Sequence, residues 1–499
     1  MDTVATVMVV DVNLSNNTAD LEGAGMGASD IGSLTVSGTT FSGNVAAQSA
    51  ALAVATSTAT VTGSHFDGNV ASSGSGGVMI AGDAAVTITD CDMVGNSADA
   101  GQGGAVLVTG SSLSATNLRL EDNSAGDGGA FACSGAGASF TGETIAMTAN
   151  VASSSGGGAA ALAGCSLAFT GSALSNNMAG TSGGGLAVGA ASSLTLTASS
   201  VSNNTAGGDL ADGHGGGGLF LAPTASATFD TVQMLFNSAA AGCGGGVLVT
   251  NGVLSLGTVT VGDGLAMDGG ALCVLDTEVD GDGLDPTVLD LAEFSLVDNT
   301  ATARGGALFL ARGASSAASV PAPISDGLID GNTAGVAGGG FYFSESTFVV
   351  AGTAFTSNSA PSGGAIAVFD AAVLDVSAVS FSNNSADQVH AAVVLLSGGV
   401  CCCCCCCYIV CVVPRCNPPP HPIPSHSMSL HAQGGAVFVW NATMTALSLT
   451  ASGNAATRGS GGFAYAANAV ITTAGITGDS NSASQCGGWA FFTAEVRLS

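Results

Sequence analysis

An asparagine closes a four-residue turn at almost constant spacing along this 499-residue chain. The turns read LSNN to Asn17, FSGN to Asn44, FDGN to Asn69, MVGN to Asn96, LEDN to Asn123, MTAN to Asn150, LSNN to Asn177 and VSNN to Asn204. Subtracting successive positions gives intervals of 27, 25, 27, 27, 27, 27 and 27 residues. The series continues at Asn237, at Asp263 in the asparagine's place, and at Asn299, Asn332, Asn358, Asn384, Asn454 and Asn481, which counts sixteen coils. A period of this length marks a solenoid or an array, in which one unit cannot bury its own apolar face and must stack on its neighbours.

The content of one period selects the kind of solenoid. After most turns a small, polar stretch leads to a glycine pair and an apolar run, as in GGVMI at Gly76, GGAVLV at Gly103, GGAFA at Gly128, GGALFL at Gly305 and GGAIAV at Gly363. A second run alternates, as in Ser193-Leu194-Thr195-Leu196-Thr197, sending Leu to one side and Thr to the other. Residues of period 2 flanked by glycine do not supply the apolar stripe of a helix. The pattern therefore predicts an all-β, right-handed parallel β-helix (β-solenoid) of about sixteen coils with a roughly 26-residue repeat. Its hand follows from the rule for parallel crossovers. Asn44, Asn69, Asn96, Asn123, Asn150, Asn177 and Asn204 are expected to stack as a structural ladder, each amide donating and accepting along the axis. Glycine at the next corner permits positive φ.

Composition narrows the function. The net charge is −29, from 35 acids against 6 Lys plus Arg, so the surface repels nucleic acid and anionic lipid. Nine of the 15 Cys lie between Cys401 and Cys416. The other six (Cys91, Cys133, Cys165, Cys243, Cys273 and Cys486) form no CxxC pair and read as buried thiols, with neither a zinc site nor a disulfide scaffold signalled. The opening MDTVATVMVV lacks the charged region of a signal peptide.

The GGA pairs followed by Leu, Ile or Val, together with FxxN at one period, resemble the repeats of chlamydial polymorphic outer membrane proteins, and the similarity covers nearly the whole chain. That resemblance implies a pectin-lyase-like β-helix used as a surface adhesin. The family's C-terminal membrane barrel has no counterpart here, so membrane association would come only through parts outside this chain.

Residues 389–433 break the pattern. The interval from Asn384 to Asn454 is 70 residues, and removing these 45 returns it to 25. The organisation is then coils over 1–388, a Cys-, Pro- and His-rich insertion over 389–433, and coils again over 434–499. The seven consecutive Cys and the Val and Gln at the boundaries fit a retained intron. Two rival readings are a membrane-spanning stretch over Ala391 to Pro414 and a metal loop using Cys411, Cys416, His421 and His426. Both chain ends fall within a coil, which implies a piece of a longer solenoid.

Candidate chemistry is sparse. Glycoside hydrolysis needs two carboxylates across a cleft, and a lyase needs a positioned base. Arg119, Arg304, Arg312 and Arg458 are expected in different coils, apart from acidic clusters, and Gly213-His214-Gly215 resembles the GHG of polygalacturonases without that family's acidic motifs. The GHG therefore reads as a turn. Asp276, Glu278, Asp280, Asp282 and Asp285 alternate around Gly281 and form the candidate calcium site, the one cofactor the sequence suggests. Asn13, Asn16, Asn203, Asn383 and Asn441 match the N-x-Ser/Thr acceptor, and Asn203 and Asn383 precede ladder positions and point outward. Thr62, Thr89, Thr116, Thr170 and Thr197 form an outward rank like those of ice-binding β-helices. The expected function is non-catalytic adhesion or display outside the cell or on its surface, towards a surface ligand, glycan or protein. A polysaccharide-active enzyme and an ice binder are the alternatives.

Overall fold

A computed structural model describes residues 6–276, 287–312, 324–370, 372–386, 436–440, 442–457, 464–467, 470–474, 477–484, 490–493 and 497–498. Every regular element among them is a β-strand. The strands pair in parallel with their equivalents one coil away, forming sheets of 38, 15 and 6 strands. There are about 14 full turns, slightly fewer than sixteen, because the terminal coils are incomplete among the described residues.

One coil illustrates the rest. After ladder residue Asn177 come the short strand Met178–Ala179, the glycine turn, then Leu186–Val188, Ser193–Thr197 and Ser200–Ser202 before Asn204. Leu194 and Leu196 are buried while Thr195 between them is exposed, so the alternation in sequence is an alternation of faces. Leu194 aligns with Leu167 before it and Ala227 after it, which builds apolar columns down the axis. Aromatic rings join these columns: Phe41 stacks on Phe66 at 4.7 Å, and Phe355 on Phe381 at 5.2 Å.

The asparagine ladder forms as expected. Asn123 Nδ2 donates to Asn150 Oδ1 at 3.0 Å and to the Met93 carbonyl at 3.0 Å, while its own Oδ1 accepts from Asn96 N at 2.9 Å and Asn96 Nδ2 at 3.1 Å. Each amide is thereby saturated in an apolar interior, where an unpaired one would be costly. The bond from Asn384 to Asn454 has the same length, 3.0 Å, although 70 residues separate them.

Two details differ from the sequence reading. The residue before each ladder position has positive φ, as at Asn16 (54°), Gly43 (59°), Asp122 (55°) and Asn203 (54°). Asp263, with φ 53°, belongs to this corner column. The ladder position of its coil is Gly264, whose N–H donates to Asn299 Oδ1 at 2.9 Å.

Candidate functional site

The most regular surface is the outward side of the alternating strand. Thr62, Thr89, Thr116, Glu143, Thr170, Thr197 and Asp230 occupy one column in register. Beside it runs a longer one that the sequence reading missed: Thr35, Thr60, Thr87, Ser114, Thr141, Ala168, Thr195 and Thr228. Period 2 along each strand and parallel register between strands make the hydroxyls a flat lattice. A shallow depression flanks this face, lined among others by Ser172, Ser199, Ser200, Thr231, Gln233 and Thr260. Its lining contains no acid, arginine or histidine.

A second feature lies outside the strands that follow the glycine pairs. Leu248, Cys273, Phe309, Tyr342 and Ala367 align on their outward side yet are buried, because Cys243, Ala337 and Leu210 pack over them. The rings continue as a stack, Phe309 to Tyr342 at 5.3 Å, Tyr342 to Phe369 at 5.2 Å and Phe369 to Phe438 at 5.3 Å. Arg304 lies 4.5 Å over the Phe309 ring and 5.4 Å over that of Tyr342. Its guanidinium also binds Asp268, Nη2 to Oδ2 at 2.7 Å and Nε to Oδ1 at 3.1 Å, with Asp268 fully buried. Burial works against the Arg304 charge, but the Asp268 carboxylate outweighs it and holds the guanidinium pKa above its ordinary value. Burial likewise pushes the Tyr342 phenol up, and Arg304 partly offsets this.

Two of these arginines, Arg304 and Arg119, do meet single acids of neighbouring coils, while Arg458 lies outside the described residues. Arg304 faces Asp268, and Arg119 pairs with Glu121 and approaches Asp92 at 3.9 Å, where His65 also lies 3.2 Å from Asp92. These partners, Glu121 apart, lie about one coil distant and become neighbours only through the register. The cysteine reading is corrected. Cys133 is bonded to Cys165 and Cys243 to Cys273, with Cα atoms 6.0 and 5.6 Å apart. Their separations of 32 and 30 residues, close to one coil, were the available signal. Cys91 does remain a buried thiol, accepting from the Ser64 N–H at 3.4 Å and donating to the Thr89 carbonyl at 3.2 Å, and desolvation by burial raises its pKa from 9.0 to about 11.

The other sequence candidates fall as follows. His214 closes a turn, its Nδ1 3.1 Å from Ser182 Oγ, which also accepts the Gly215 N–H at 3.3 Å. The Ser182 hydroxyl is buried, so the pair ties two coils together. Asp276 ends the strand Leu272–Asp276, whereas Glu278, Asp280, Asp282 and Asp285 lie outside the described residues. The same holds for Asn441 and for the whole insertion over 389–433 with its membrane and metal readings. Among the described residues no three His, Cys, Asp or Glu converge as a metal site, and no helix is long and apolar enough to cross a membrane. Asn203 and Asn383 are exposed at the corner before the ladder, with φ of 54° and 55°.

A family model described as a right handed beta helix region matches residues 1–174. With the parallel stacking described above, the chain is a right-handed parallel β-helix of stacked repeats. No curated protein matches the sequence.

Proposed function

We propose that the chain is a non-catalytic extracellular or cell-surface β-helix that displays its flat faces for adhesion. The carrying observation is the pair of disulfides, Cys133–Cys165 and Cys243–Cys273, each joining successive coils. Such bonds form and persist in oxidising compartments. The likeness of the GGA and FxxN repeats to chlamydial polymorphic outer membrane proteins supports the same reading. A depression lined by neutral hydroxyl and amide side chains lacks the acid and base that polysaccharide cleavage requires.

The test is to incubate oxidised full-length protein with pectin-like polymers and with intact cells. Saturable cell binding without release of new sugar ends is expected. Turnover of any polymer at enzymatic rates would overturn the proposal in favour of a pectin-lyase-like enzyme. The in-register threonine columns favour a second reading, ice binding. Inhibition of ice recrystallisation that disappears in Thr87→Tyr would move the assignment there.

A further inference from the structure

The corner column before the ladder is filled mainly by Gly, Asn, Asp and Ser, residues that tolerate left-handed backbone. Phe236 breaks this rule: its φ is 57° and 54% of its surface is exposed. A bulky aromatic there carries backbone strain and recovers little of it by burial. Its neighbour in the column is Asn203, because the Asn203 N–H donates to the Leu235 carbonyl at 2.9 Å. The two side chains thus project from adjacent rungs at the strand spacing of about 4.8 Å.

Asn203-Asn204-Thr205 is an N-x-Thr acceptor in which both Asn203 and Thr205 are exposed. Two other asparagines of this column, each followed by a glycine on the next rung, behave differently. Asn383 Oδ1 lies 2.5 Å from where a Cβ on Gly453 would stand, and Asn16 Oδ1 lies 2.7 Å from the equivalent point on Gly43. Those amides lean over the glycine of the next rung. At Asn203 the next rung carries Phe236, whose Cβ occupies that space.

We propose that Asn203 carries an N-linked oligosaccharide whose first sugar packs on the Phe236 ring. The inference rests on the extracellular reading, since the transfer takes place in the secretory pathway. The donor class is an oligosaccharide linked through pyrophosphate to a lipid. The Asn203 Nδ2 forms a bond to C1 of the first sugar as the C1–oxygen bond to pyrophosphate breaks. The leaving lipid pyrophosphate takes that electron pair, and the amide nitrogen releases one proton. The apolar face of the sugar then covers an aromatic that otherwise stands in water.

The full chain is to be produced behind a secretory leader in a eukaryotic cell. Amidase treatment in heavy-oxygen water, followed by peptide mass mapping, marks each formerly glycosylated Asn as Asp. The expected result is a mark at Asn203 that is lost in Asn203→Gln and Thr205→Ala and kept in Thr205→Ser. Phe236→Ser should keep the mark but speed native deglycosylation at Asn203 about fivefold, the scale of one aromatic contact. Protein with both disulfides formed and Asn203 unmarked overturns this proposal and leaves the extracellular reading standing. Folded, secreted protein without the disulfides overturns the extracellular reading itself. A mark at Asn203 with an unchanged rate in Phe236→Ser overturns the packing on Phe236.

Discussion

From Asn17 to Asn237 the ladder runs without a break, whereas at Gly264 it loses its side chain. In the first region every junction between coils repeats the same set of amide bonds, illustrated by Asn123. At Gly264 just a backbone N–H reaches the next rung, and an added Cβ would collide with the Gly270 carbonyl, so the chain has closed over the space. Two local ties stand on either side of this gap. The Cys243–Cys273 disulfide joins the preceding coil to the gapped one, and Asp268–Arg304 joins the gapped coil to the following one. Axial cohesion thus has two forms here: many modest bonds in series, or a few strong ones placed where the series is interrupted.

The largest effect should come from the uninterrupted region. Asn123→Ala orphans the buried backbone N–H of Asn96, one of its two Nδ2 hydrogens and the Met93 carbonyl. At the usual cost of an unmade buried bond, the loss is about 3–5 kcal/mol, read by urea unfolding. Asn237→Ala orphans the same kinds of group, on Asn204 and at the Val201 carbonyl, but Asn237 makes no onward bond like that of Asn123 to Asn150, so it should cost less by about 1 kcal/mol, the scale of one hydrogen bond. Equal losses at the two positions would break the comparison.

Next comes the disulfide. Replacing Cys243 and Cys273 together by Ser should cost about 3 kcal/mol, the usual scale for a closed loop of this size. Hydrogen exchange should locate the loss in residues 264–276, where the ladder is missing. The same change at Cys133 and Cys165 should leave the amides around Asn150 protected, since the ladder there is intact. Similar deprotection at both sites would mean that the ladder contributes little to holding adjacent coils.

How much of this was legible depends on the range of the interaction. The coil period and the asparagine ladder follow from local requirements: a polar group at a buried corner must saturate itself, and a tight turn needs glycine, as at Gly103 with φ 66°. The cross-coil partners are different. Asp268 and Arg304 are 36 residues apart because an insertion lengthens their coil, and register alone brings them together. Cys243 and Cys273 are 30 apart across a coil of ordinary length, on different strands, in register with Asp268 and Leu248, and meet only where the folded coil brings those strands side by side. The exchange of roles at Asp263 and Gly264 was hidden because the acid imitates the asparagine of the motif, although Gly264 stands at the regular 27-residue interval from Asn237. The hydroxyl face was half legible. The Thr62 to Thr197 rank stands out from its threonines, but the Thr35 to Thr228 column is recognisable only once the strands are aligned.

The smallest of these effects should be at Arg304. Removing one partner of a fully buried pair costs roughly 3–5 kcal/mol because the other charge is left uncompensated. Here Asp268 is buried but the Arg304 side chain is 37% exposed, so water screens part of the interaction, and Arg304→Ala should cost about 2 kcal/mol in thermal or urea unfolding. Arg304→Lys should recover only part of that, since an ammonium cannot reproduce both guanidinium bonds or lie flat over Phe309. If Arg304→Met instead matched the native stability, its aliphatic stem against Phe309 and Tyr342 would be the tie that matters, and the gap at Gly264 would be bridged on that side by apolar packing rather than by charge.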